Sequence, residues 1–227
     1  MDQRRTLDKW NRQLKEIGPD VLQLHWDRKI HRVTHEVVKA HPRGAQYNPL
    51  WEWMFRNSDR LALIIVRRVM DTHPGAVSLR RLASEICDAP DVITRKWHSN
   101  LFSAAGRERE PGDRCLADRC FDELAGPGQD SLNPEKLRTR LDVANKRCEP
   151  IILLVNKQLA HHDANPPADN PTYGQLNDAI QAIGELYRFL HYVLRGDAEG
   201  DLEPTEQYDW DWVFLEPWMP PDNENTA

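Results

Sequence analysis

Asn156, Lys157, His161 and Asp163 place an amide, an ammonium, an imidazole and a carboxylate within eight residues, the densest chemistry in the chain. A histidine, with an ordinary pKa near ~6.5, exchanges a proton close to neutrality. In metal-independent RNA cleavage such a group takes the 2′-hydroxyl proton or protonates the leaving oxygen, while a cation or amide stabilises the charge on phosphorus. Lys157 precedes His161 by four residues and shares its face of a regular helix, whereas Asn156, five earlier, points about 140° away. Asn156 reaches the same site only where the helix unwinds or a second subunit contributes. Asp163 can orient an imidazole. The alternative is a helix C-terminal cap, in which the cations stabilise the dipole and the amide satisfies loop carbonyls.

The elements that position these residues follow from periodicity. Ile151 to Val155 form an apolar run, and Pro166-Pro167 force the chain out of a helix, so the cluster lies at a helix C-terminus beside a loop. Upstream, Asn133-Pro134 opens a long helix containing Pro150, which should kink it near Arg147. Downstream, Thr172 and Gln175 have capping-box spacing, and Leu176, Ile180, Ile183, Leu186, Tyr187, Leu190 and Leu194 form one apolar stripe that ends at Gly196. That helix can run antiparallel to the one carrying the cluster.

The first part of the chain reads the same way. Leu7, Trp10, Leu14 and Ile17 have helical spacing, Gly18-Pro19 interrupts, and Val21 to Val37 resume it, giving two helices or one kinked helix. His31 and His35 lie one turn apart, but no third metal ligand stands near them, so a surface or interface role is expected. Asn48-Pro49 starts a core helix to about Asp71, Ser78 caps a short one to Cys87, and Ala89-Pro90-Asp91 starts another through Trp97. Residues 107–130 read as a solvated loop and a short helix, an insertion or an added helical hairpin. With no alternating strand before the tail, the class is all-α, a helical bundle over 1–196.

Charge is uneven. Ten acidic residues and no Lys or Arg follow Arg195, so residues 197–227 form an acidic tail, and the body is weakly basic, with cationic pairs at Arg67-Arg68, Arg80-Arg81 and Arg138 with Arg140. Such pairs can follow a phosphate backbone or simply face water. The tail's Trp210, Trp212 and Trp218 can patch an apolar surface or, with the acids, occupy a basic groove in place of nucleic acid. No apolar run is long enough to span a bilayer and no secretory signal is evident, so a cytoplasmic protein with reduced thiols at Cys87, Cys115, Cys120 and Cys148 is expected. No cofactor or metal is called for.

Asn156-x4-His161 followed by Asp163, between two long helices, resembles the signature region of the HEPN superfamily, specifically its AbiU-like abortive-infection branch. The helix Trp51 to Met70 ending in Arg67-Arg68-Val69-Met70-Asp71, followed by Val77-Ser78-Leu79-Arg80-Arg81-Leu82, is similar to a second stretch of that branch. The resemblance covers roughly residues 20–195. It implies a helical bundle, a homodimer with the motif near the subunit interface, and an RNase or RNA-binding role in prokaryotic defence or toxin–antitoxin systems. The superfamily's catalytic motif is an arginine, four to six residues, then histidine; here Asn156 holds the arginine's place beside Lys157, and His161 carries over directly. Two functions follow: an RNA-binding defence protein that cleaves without metal, using His161 as acid/base, Lys157 for phosphate electrostatics and Asn156 as positioner, or a non-catalytic module binding an antitoxin, toxin or phage protein.

Overall fold

Leu7, Trp10, Leu14, Ile17, Val21 and Leu24 recur every three or four residues and are all buried, which makes a single apolar stripe along helix α1 (Gln3–Ala40). A computed structural model describes residues 2–40, 48–102, 111–159, 170–197, 200–203 and 205, for 111–115 the backbone alone. The Gly18-Pro19 interruption does not divide α1. Its glycine serves packing instead: a Cβ at Gly18 would lie 2.8 Å from the Tyr187 hydroxyl, so the missing side chain lets the helix carrying Tyr187 approach.

Four further helices start at residues whose side chains cap them. Asn48 accepts from the Leu50 N–H at 2.9 Å and opens α2 (Pro49–Val69); Ser78 accepts from the Arg81 N–H at 3.2 Å and opens α3 (Leu79–Asp88). Asn133 caps α6 (Pro134–Leu154), which runs through Pro150. Thr172 and Gln175 close a reciprocal capping box on α7 (Tyr173–Arg195), and Gly196, at φ +74°, ends it in the left-handed conformation that glycine adopts without strain.

One expected helix is split. Instead of running from Pro90 through Trp97, the chain makes a 3-10 turn at Pro90–Val92 and restarts at α4 (Arg95–Leu101), capped by Thr94. The cause is a competing partner: the Leu132 N–H donates to the Ile93 carbonyl at 3.1 Å and the Arg95 N–H to the Asp130 carbonyl at 2.9 Å, so these groups are committed across to the segment after α5 (Pro111–Ala125). Arg95 fastens α5 further, donating to Asp122 at 2.6 Å and to the Gln129 carbonyl, with its guanidinium 5.0 Å from the Phe121 ring centroid.

α6 and α7 are antiparallel, since Arg140 stacks on Phe189 while Arg147, two turns on, pairs with Asp178. Together with α1, α2 and α3 they enclose one core whose largest fully buried side chains include Leu14, Leu24, Leu82, Phe121 and Ile151. The architecture is the expected all-α bundle, with no strand among the described residues. No described helix is long and apolar enough to cross a membrane. Leu202, past the end of α7, is buried beside Gly184, whereas the aromatic part of the tail, with its two alternative roles, lies outside the described residues.

His25 is the most consequential polar group inside. A Cβ on Gly184 would lie 2.5 Å from its Nε2, so α1 and α7 meet across a glycine and an imidazole. Burial, with Arg188 and Arg28 adding to it, pulls the imidazole from 6.5 down to about 4. The unfolded chain therefore binds this proton more readily than the folded one. The stability tied to neutral His25 is present above pH 6.5 and is lost as pH falls toward about 4, a change of roughly 3 kcal/mol. Urea denaturation at pH 7 and pH 4.5 checks this: His25→Gln should show a clearly smaller loss over that window than the unsubstituted protein, and parallel losses would sink the assignment. The thiols of Cys87 and Cys148 are pushed up by burial, to about 11 and about 12, and are un-ionised at neutral pH.

Candidate functional site

At Val155 the regular winding of α6 gives way to a π-helical segment, Val155–Leu159, which carries Asn156 and Lys157. Hydrogen bonds there close over five residues rather than four, so positions five apart come nearer to one side of the helix than they would in α geometry. Such widened turns occur often at functional sites. Val155 turns into the core, Asn156 is exposed and Lys157 half-buried. His161 and Asp163 lie outside the described residues.

What meets Asn156 comes from α2. The Arg67 Nε–H donates to Asn156 Oδ1 at 3.1 Å, across 89 residues of sequence, and Arg67 Nη1 donates to Asp71 Oδ2 at 2.7 Å. Asp71 is fixed in turn by the His73 backbone N–H at 2.8 Å. That N–H first, and Arg67 after it, hold the carboxyl below its ordinary range, so it is ionised at neutral pH. Its backbone carbonyl accepts from the Ser78 hydroxyl at 2.6 Å, which ties the end of α2 to the start of α3. The neighbouring Arg68 turns away to pair with Asp20 on α1. Of the two adjacent arginines, one is committed to the scaffold and the other to the polar cluster. A planar guanidinium anchored on one edge by a carboxylate is pre-organised to bind a phosphate oxygen through its remaining N–H groups.

A second constellation joins residues that the sequence leaves unconnected. His31 and His35, expected only to face a surface or interface, line a cavity of about 410 Å³ between α1, α2 and α7. Their rings are parallel within 4° at 6.4 Å between centroids, and Phe55 meets the His31 ring edge-on at 5.0 Å. Asp59 receives the Tyr173 hydroxyl at 2.7 Å and lies 3.4 Å from His31 Nε2. Burial lowers the His31 pKa more than Asp59 raises it, so the ring is neutral at pH 7. No group of three or more metal-ligating side chains occurs among the described residues. The available signal was the helical spacing of Arg28, His31, Arg32 and His35, which places all four on one face of α1.

The family model for AbiU2 HEPN proteins matches residues 7–216, nearly the whole chain, and the protein belongs to that family, an abortive-infection, defence-associated branch of HEPN proteins. No curated protein and no solved structure matches it.

Proposed function

We propose that this AbiU2-family protein binds RNA at the Arg67–Asn156–Lys157 cluster and cleaves it without a metal, His161 acting as the acid/base. The observation that supports this is the 3.1 Å contact between Arg67 and Asn156, which sets a guanidinium from α2 against the residue that stands in sequence where the superfamily's motif has its arginine. In the reaction the 2′-oxygen attacks phosphorus, the P–O5′ bond breaks, and one proton leaves the 2′-hydroxyl while another reaches the departing 5′-oxygen. His161 handles one of these transfers, Lys157 and Arg67 stabilise the phosphorane charge, and Asp163 orients the imidazole. Purified protein and His161→Ala, incubated with mixed RNAs in the presence of a chelator, test it. Cleavage lost in the variant is the expected result; no cleavage by either folded protein moves the assignment to the non-catalytic module that binds an antitoxin, toxin or phage component.

The active form is a homodimer. Leu50, Trp53, Leu61 and Ile64 are exposed although large and apolar, and at about 100° per residue they fall within about 80° of one another on α2. A stripe of that kind along the helix that delivers Arg67 suits a self-complementary contact beside the site. Light scattering on the wild type and on a Trp53→Glu, Ile64→Glu double variant should give dimer and monomer masses respectively. A monomeric wild type at micromolar concentration ends this reading.

A further inference from the structure

Beyond α7 the chain turns back along the helix it has just left. Gly196 ends α7 with a positive φ, and Asp197 Oδ1 then lies 3.0 Å from His191 Nδ1, about one turn back. Leu202 is buried beside Gly184, about two turns further back, and Glu203 Oε2 lies 3.5 Å from Arg32 Nη2 on α1. These contacts step along α7 toward its Tyr173 end. The next inward residues of α7 in that direction, Ile180, Leu176 and Tyr173, line the cavity of about 410 Å³ together with His31, His35 and Phe55. Arg32, which holds Glu203, lines it as well.

The sequence that follows has the chemistry to fill such a cavity. Tyr208, Trp210, Trp212 and Phe214 alternate with Asp209, Asp211 and Val213, a spacing that in an extended chain puts four rings on one face and the acids on the other. A face of that kind gains by burial, about 150–250 Å² for each ring. Reach is sufficient: Tyr173 stands about 16 Å from Gly184 along α7, and an extended chain covers about 20 Å from Leu202 to Tyr208. The cavity wall offers both faces and edges of rings, the contacts that aromatic side chains prefer. Asp27 Oδ2, buried in that wall with no partner, can accept an indole N–H, a pairing the fold already uses between Trp10 and Glu85. Arg28 and Arg32 supply positive charge on the same wall for Glu206, Asp209 and Asp211. The family match also runs on to residue 216, so the family's unit includes this stretch.

We propose that the cavity between α1, α2 and α7 is the docking groove for this chain's own C-terminal segment, residues 206–216, with Tyr208 and Trp210 seated among His31, Phe55 and Tyr173 and the acids kept at the rim. The occupant comes from the same chain because Arg32 already holds Glu203 there, which leaves only a short loop to close. Phe55, Asp59 and Ala62 face the cavity from the side of α2 opposite to Leu50, Trp53, Leu61 and Ile64, so the docked segment and a second copy of the chain do not compete. The docking stands apart from the Arg67 cluster and holds or fails independently of the cleavage assignment.

Photo-cross-linking in the full chain tests it, with benzoylphenylalanine incorporated in place of Trp210 and an equal mixture of light and heavy-isotope-labelled protein to separate contacts within a chain from contacts between chains. Cross-links within one chain to residues 27–36, 55–62 or 173–180 are the expected result. Phe55→Ala, with circular dichroism as the folding control, should lower their yield about fivefold by removing a ring from the wall. Arg32→Glu, which reverses a charge on a half-exposed side chain, should lower it about threefold, and less so at high salt. Val143→Ala, on the exposed face of α6, should leave it unaltered. Cross-links that join a light chain to a heavy one overturn the proposal in favour of a segment exchanged between copies. Cross-links confined to other surfaces, none at all, or an unchanged yield in folded Phe55→Ala overturn it outright.

Discussion

Arg67→Ala is expected to lower metal-independent RNA cleavage by about 10²–10³-fold, the usual loss when one pre-organised stabiliser of transition-state charge is removed. The side chain is partly exposed, and its two described partners are polar groups at the surface. Its removal leaves Asp71 with the His73 N–H, so the fold should suffer little. Arg67→Lys separates charge from geometry: the ammonium keeps the charge but loses the planar fork and the simultaneous hold on Asn156 and Asp71, and should recover only part of the rate. Single-turnover cleavage under chelation, with circular dichroism as the folding control, makes the comparison. Undiminished cleavage by folded Arg67→Ala would remove Arg67 from the site and leave its contact with Asn156 as a tie between α2 and α6.

Trp10→Ala should destabilise the protein by about 3–5 kcal/mol, the range for deleting a large buried aromatic side chain. Trp10 is 2% exposed and is among the largest fully buried side chains. It joins α1 to α3 both by packing and by its indole N–H, which donates to Glu85 at 3.2 Å. Glu85 keeps Lys9 as a partner at 2.7 Å after the truncation, so most of the loss is the cavity rather than an orphaned carboxylate. Trp10→Phe should accordingly cost far less, on the order of 1–2 kcal/mol for lost volume and one hydrogen bond. Urea unfolding at pH 7 distinguishes the two; equal losses would mean that the hydrogen bond, not the volume, holds α1 against α3.

Neither effect could be placed from local pattern alone, yet much of the frame that produces them was. Asn48, Ser78, Asn133, Thr172 with Gln175, and Gly196 mark helix ends through interactions spanning two to four residues, and each was legible because the groups that satisfy one another are adjacent in sequence. The apolar stripe of α7 was readable for the same reason. Where a backbone group found a distant partner, local reading failed: Ile93 and Arg95 bond to the segment after α5, and the expected helix from Pro90 is split.

The site divides along the same line. Spacing alone placed Asn156 and Lys157 in the last turns of a helix, just ahead of His161 and Asp163, and the family resemblance added that the motif arginine is missing there. Only the tertiary structure decided that Arg67 reaches Asn156, because side chains 89 residues apart meet through the packing of α2 against the end of α6. Likewise, the one-turn spacing of His31 and His35 was plain, but whether two imidazoles face water or a cavity depends on what the neighbouring helices bring to them. Phe55 and Asp59 come from α2 and Tyr173 from α7, and no periodicity in α1 carries that information.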